Sequence, residues 1–222
     1  MPRSLARYVH KDCPRKMART KSSAGWLQRH VSDPFVKQAQ KDGYRSRSAY
    51  KLIELNEKDQ LIRPGMRVMD LGSAPGGWSQ VAGKLVGAKG RVLATDILPM
   101  DELKNVDFIQ GDFTEDAVVQ KVHEWLGGAK FDVIISDIAP NISGIDSADQ
   151  ARSMYFLELA LDTVRKTLKP GASFAAKMFQ GSGSDQYIKD LRTHFGKVLI
   201  RKPAASRKES REVYLVAKGF KG

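Results

Sequence analysis

The chain has 222 residues, 41% of them hydrophobic, which fits one domain with a substantial core, and it carries a formal charge of +12. No run approaches the ~20 consecutive apolar residues of a membrane span, and the basic start lacks the apolar stretch of a secretory signal, so a cytoplasmic protein is expected. A single cysteine, Cys13, excludes a disulfide framework, and four scattered histidines (His10, His30, His123 and His194) at no ligand spacing give no reason to expect a metal.

The charge is gathered at the front. Residues 1–51 hold 13 Lys and Arg against 3 acids, a net of +10, whereas residues 52–222 hold 24 against 22, a net of +2. Such an excess points to a polyanionic partner, nucleic acid before anionic membrane. Residues 1–30 show neither a period of 2 nor one of 3.6 and are expected to form a flexible basic arm that orders on RNA. Asp33 and Pro34 then look like an N-cap and first helical residue, opening a helix to Gly43, and a second helix runs from about Ser48 to Gln60.

From Gly65 the pattern alternates. Strands are predicted at 67–71, 91–95, 106–110, 131–136, 172–178, 197–201 and 212–217, and helices at 77–86, 115–126, 148–168 and 184–195. Five strands interleaved with four helices, followed by two strands without a helix between them, imply an α/β fold. A Rossmann-like, seven-stranded, mostly parallel sheet is expected, with one antiparallel strand near an edge and helices on both faces.

The first strand ends in Asp70 and breaks into Gly72-Ser73-Ala74-Pro75-Gly76-Gly77. This nearly matches the dinucleotide fingerprint, but Ala74 replaces the glycine that lets backbone approach a pyrophosphate. A nucleoside ligand without pyrophosphate is favoured, S-adenosylmethionine being the common candidate. Asp96 follows the second strand, where a carboxylate can accept both ribose hydroxyls; Asp112 follows the third, near the expected adenine; Asp137 ends the fourth. Asp70 could anchor the loop or the ligand's amino group. One acid at a strand end is usually a helix cap, but four on one sheet edge are harder to explain that way. Trp78 could flank the ligand or simply pack; Trp26 and Trp125 are assigned to packing or the arm.

Asp-Leu-Gly-Ser-Ala-Pro-Gly-Gly-Trp (70–78), Ser-Asp-Ile-Ala-Pro-Asn (136–141) and the framing Lys51, Lys177 and Glu212 resemble the RrmJ/FtsJ family of S-adenosylmethionine-dependent ribose 2′-O-methyltransferases. The resemblance covers roughly residues 31–222, making this stretch, with its N-terminal helices at 33–60, the methyltransferase domain. It implies cofactor contacts at Gly76, Trp78, Asp96, Asp112 and Asp137, beside the candidates Asp70, Gly72 and Gly77 from the loop itself. It further implies a catalytic tetrad of Lys51, Asp137, Lys177 and Glu212, with Lys177 as base or hydroxyl-orienting group. In size and layout the chain is most similar to members that methylate a uridine in the A-loop of 23S ribosomal RNA. A lysine near the end of a buried strand is costly without a partner, which makes Lys177 the least bland of the four.

Arg201, Lys202, Arg207, Lys208 and Arg211 form a second basic stretch, expected with Arg45 and Arg47 to make a phosphate-gripping rim around the tetrad. Other readings keep the chemistry but change the RNA to tRNA or an mRNA cap, drop turnover for a ribosome-assembly role, or replace RNA by a small molecule. A monomer is expected, since no surplus of apolar residues calls for a partner.

Overall fold

The structure, a computed structural model, describes residues 33–140 and 143–222. The arm expected over 1–30 lies outside the described residues.

Apolar runs bounded by turn residues form the strands β1 (Arg67–Leu71), β2 (Arg91–Asp96), β3 (Val106–Gln110), β4 (Phe131–Ser136), β5 (Leu168–Phe179), β6 (Phe195–Arg201) and β7 (Glu212–Phe220). The helices are α1 (Pro34–Lys41), α2 (Ala49–Asp59), α3 (Gly77–Val86), α4 (Asp116–Leu126), α5 (Asp146–Thr167) and α6 (Ser184–His194). The strands make one sheet in the order β3-β2-β1-β4-β5-β7-β6. Only β7 runs against the rest, inserted between β5 and the edge strand β6. The expected sheet is therefore the observed one.

Alternation along each strand sorts side chains between two layers. Val68, Val92, Val133, Ile135, Ala175, Tyr214 and Val216 face α2 and α3, packing on Leu52, Leu55, Trp78 and Val81. Met69, Leu71, Ile134, Phe174 and Leu215 face α4, α5 and α6, packing on Val122, Leu161, Val164, Ile188 and Leu191. Truncating a core residue such as Leu52 or Val164, both fully buried, removes contacts that a close-packed interior cannot restore.

The largest departure from the expected boundaries is at the start of β5. β5 starts at Leu168, directly from the end of α5, so Lys169-Pro170-Gly171 belongs to the strand and not to a turn before it. The ladder to β4 absorbs these residues as an irregularity, with Phe131 opposite Leu168 but Val133 opposite Ser173. A bulge of this kind keeps pairing while adding chain, which a reading of Pro and Gly as breakers does not foresee.

The strand order reverses between β1 and β4, so the loops leaving their C-terminal ends diverge there and open a crevice. That switch point fixes the candidate site.

Candidate active site

β4 ends at Ser136, paired with Ala176 of β5, so Asp137 and Lys177 emerge side by side one residue further on. Lys177 in turn faces Tyr214 across the β5–β7 ladder, and Glu212 lies two residues from Tyr214 on the same face. Lys51 reaches this row from α2. The four residues expected as a tetrad, 161 positions apart at their extremes, meet as two pairs: Lys177 Nζ lies 3.1 Å from Asp137 Oδ1, and Lys51 Nζ lies 2.6 Å from Glu212 Oε1. Lys177 also donates to the Asp137 backbone carbonyl at 2.6 Å. Side-chain exposures of 7% for Lys177, 17% for Asp137, 9% for Lys51 and 13% for Glu212 leave little solvent between them.

Buried charges persist only when paired and hydrogen-bonded, and these are. Burial alone would raise both carboxyls. For Asp137 the charges of Lys177 and Lys51 and the hydrogen bond from Tyr214 outweigh it, holding the carboxyl below its ordinary range. For Glu212 the charge and hydrogen bond of Lys51 do the same. Both acids are thus ionised at neutral pH, and both lysines have a fixed anionic partner.

Tyr214 is the site residue that sequence reasoning missed. Its hydroxyl donates to Asp137 Oδ1 at 2.6 Å, and its ring lies 5.4 Å from Lys51 Nζ, so it touches both pairs. Burial, followed by the charge of Asp137, pushes its own pKa well above the usual value, so it remains a donor. The available signal was its place two residues after Glu212, on the same face of a strand.

Next to this cluster the glycine loop crosses from β1 into α3. Gly72 has φ +67°, and a Cβ there would fall 1.9 Å from Ile138 Cγ1, so only glycine lets the loop after β4 lie across it. Gly76 has φ +104° and precedes α3, whose first N–H groups have no carbonyl partner within the helix and present a partial positive charge. A Cβ on Gly77 would lie 2.1 Å from Ser46 Oγ. Asp70 is fully buried, accepts a 2.6 Å bond from Ser79 of α3, and is pushed up to about 7 chiefly by burial. Asp96 accepts from the backbone N–H groups of Ala74 and Leu98, at 2.9 and 2.8 Å, and so ties the loop after β2 to the glycine loop. Asp112 accepts from the N–H and hydroxyl of Thr114 within its own turn. Each carboxylate keeps further lone pairs. Trp78 is buried, donates its indole N–H to the Ser48 carbonyl at 2.9 Å and packs on Tyr214. Its side chain is committed to packing.

A family model described as FtsJ-like methyltransferase matches residues 44–220. The chain belongs to that family. This FtsJ-like methyltransferase is 71% identical over 206 residues to the ribosomal RNA large subunit methyltransferase E of Stutzerimonas stutzeri, a match covering 93% of this chain and 100% of that one. It is 65% identical to the protein of the same name from Marinobacter nauticus, over 92% and 99% of the two chains. A Plasmodium falciparum protein, its crystal structure described as that of a ribosomal RNA methyltransferase, superposes with a TM-score of 0.73 at 34% identity, over 81% of this chain and all of that one. An enzyme of this family uses a methyl donor, and among the described residues the crevice at the switch point is flanked by both the glycine loop and the tetrad.

The basic rim needs correction. The Arg45 guanidinium in this FtsJ-like methyltransferase donates to the carbonyls of Pro75, Asp101 and Glu102, bracing the glycine loop against the loop after β2. Arg47 donates to the Ala205 carbonyl. Arg201 makes a two-pronged pair with the buried Asp59, at 2.9 and 2.8 Å, and Lys202 donates to the Ser210 carbonyl. These cations hold loops together. Of the expected rim, Lys208 and Arg211 are exposed and Arg207 is half-buried, with Arg211 beside Asp146 at 3.5 Å.

Proposed function

We propose that this methyltransferase moves a methyl group from S-adenosylmethionine to the 2′-hydroxyl of a ribose in large-subunit ribosomal RNA, a uridine of the 23S A-loop. The observation that carries this reading is the pairing of Lys177 with Asp137 and of Lys51 with Glu212, at the same sheet edge as the glycine loop. The names of the Stutzerimonas and Marinobacter relatives, each aligned almost end to end, support ribosomal RNA as the substrate.

The crevice fits S-adenosylmethionine. Asp70 Oδ1, Ser73 Oγ and Thr95 Oγ1 are buried at the ends of β1 and β2 without hydrogen-bond partners, where a polar ligand would supply them. Gly72, Gly76, Gly77 and the Trp78 N–H would form the wall, Asp96 would accept from the ribose hydroxyls, Asp112 would lie beside the adenine and Asp137 would close the other end. Once bound, the cofactor supplies an electrophilic sulfonium methyl group. The protein's part is to align the 2′-oxygen opposite sulfur and relieve it of its proton. Alignment supplies up to ~7–11 kcal/mol, and a general base contributes ~10²- to 10⁴-fold. Lys177 Nζ is the base or hydroxyl-orienting group. Asp137, kept ionised, fixes that amine through side chain and backbone, and Lys51 with Glu212 positions the ribose.

With ribosomal RNA as its substrate the protein would act in the cytoplasm. Among the described residues no helix is long and apolar enough to cross a membrane. The large exposed apolar side chains fall in three separate places, Ile97 and Leu98 after β2, Ile145 and Tyr155 at α5, and Ile200 on β6, which fits a monomer. The test is incubation of the protein with methyl-labelled S-adenosylmethionine and large-subunit particles from a strain lacking it. Label in an alkali-resistant dinucleotide of 23S RNA is expected. Label on a base, on tRNA alone, or no transfer would overturn the reading.

A further inference from the structure

Glu212 opens β7 with a strand on one side only. β5 pairs with it through Phe179, and the Gln180 N–H reaches the Arg211 carbonyl at 3.0 Å, but the ladder to β6 stops at Arg201, opposite Tyr214. On that open side residues 202–211 form a loop, and α2 ties it down at three points along its length. At the C-terminal end of α2 the Asp59 carboxylate takes the two-pronged bond from Arg201, at the base of the loop. Five residues earlier, Glu54 Oε2 accepts from the Ala204 N–H at 2.6 Å. In the turn that opens the helix, Arg47 donates to the Ala205 carbonyl. Pro203, Ala205 and Ser206 are buried in this part of the loop.

Lys51 lies four residues after Arg47 and three before Glu54, about one helical turn from each, so the face of α2 that grips the loop is the face that carries Lys51. The loop then ends on Glu212, whose carboxylate meets Lys51 at 2.6 Å. Glu54 is the middle joint of this series. Its Oε1 pairs with Lys58 at 2.6 Å, one turn further along the helix, which orients the carboxylate and leaves Oε2 for the loop. A carboxylate accepting a backbone N–H makes a short, directional tie. With 23% of its side chain exposed, Glu54 is not part of the core, and its replacement leaves the packing of the domain in place.

We propose that Glu54 is a positioning residue for methyl transfer: by holding the loop at Ala204 against α2, it sets Glu212 in register with Lys51. The inference rests on the methyltransfer reading above, in which that pair positions the ribose. Glu54 acts through the loop and not through contact with cofactor or RNA. A misplacement near 1 Å at a reacting group can cost ~10²-fold, and Arg47 and Arg201 still hold the loop when Glu54 is replaced, so an intermediate loss is expected.

The experiment compares wild type, Glu54→Met, Glu54→Gln and Lys58→Met for kcat, KM for large-subunit RNA and S-adenosylmethionine affinity. Met keeps the length of the side chain without an acceptor, and its kcat should fall about tenfold with cofactor affinity within about twofold of wild type. Gln keeps a carbonyl oxygen for the Ala204 N–H and should restore kcat to within about threefold of wild type, a rescue that the lost ion pair with Lys58 does not prevent. Lys58→Met removes that ion pair alone and should leave kcat unchanged. Unchanged kcat in Glu54→Met would overturn the proposal, and so would a rise in KM alone, which would assign the loop to RNA binding and not to the pair. An equal loss in Glu54→Gln and Glu54→Met, or a fall of cofactor affinity in step with kcat, would overturn it as well. A wild-type protein that transfers no methyl group would overturn the underlying reading instead.

Discussion

At the scale of single residues, the site works by setting burial against charge. Asp137 and Glu212 lose water on folding, yet lysine partners keep them ionised; Asp70 loses water without a cationic partner and goes the other way. Its pKa, about 7 against an ordinary 3.8, has a definite sign. Between those values the folded protein holds a proton that the unfolded chain releases, so this group's cost to stability grows as pH rises and is complete above about 7. Asp70→Asn keeps the acceptor for Ser79 and removes the titration. Its melting temperature should exceed that of wild type by more at pH 8 than at pH 5; an equal offset at both would contradict the burial argument. Legibility at this scale was mixed. The tetrad came from motifs matched to a family, because no local spacing relates positions 51, 137, 177 and 212. Tyr214 stayed hidden because a strand tyrosine looks like packing until its hydroxyl partner, 77 residues away, is known.

Among elements, the alternation of strand and helix was readable because buried parallel strands are short apolar runs between turn residues. What could not be read was how loops are braced. Arg45 looked like a phosphate ligand, since in sequence a cation near the domain's start has no visible partner. In the fold its guanidinium answers carbonyls 30, 56 and 57 residues away and joins the glycine loop to the loop after β2. Net hydrogen bonds of ~0.5–1.5 kcal/mol each, shared over two loops, make a cofactor-affinity effect the expected outcome. Arg45→Ala should weaken S-adenosylmethionine binding about tenfold in calorimetry while leaving the salt dependence of RNA binding unchanged. A flattened salt dependence with unchanged cofactor affinity would restore the phosphate role. The same logic explains β5, where Pro170 and Gly171 signalled a turn and the ladder accommodated them as an irregularity.

For the whole molecule, charge divides into cations that hold the fold and cations that face outward. Arg207 and Lys208 lie in the loop leading to Glu212, and neither is tied into the core in the way Arg201 is. Replacing both with alanine should weaken RNA binding and reduce its log-log salt slope by about 1 to 2, with cofactor affinity intact. An unchanged slope would show that other cations carry the RNA. Acid should act globally too: Asp59, Asp137 and Glu212 are all held below the ordinary carboxylate range, so the stability they contribute is present above it and is lost as pH falls through it.

The claim on which the rest depends is that Lys177 serves the acceptor hydroxyl and not the cofactor. Single-turnover methyl transfer to large-subunit RNA by Lys177→Ala, measured beside its S-adenosylmethionine affinity, tests it most directly. Transfer should fall by ~10²- to 10⁴-fold with cofactor affinity within twofold of wild type. Near-normal transfer, or a loss explained by failed cofactor binding, would contradict it.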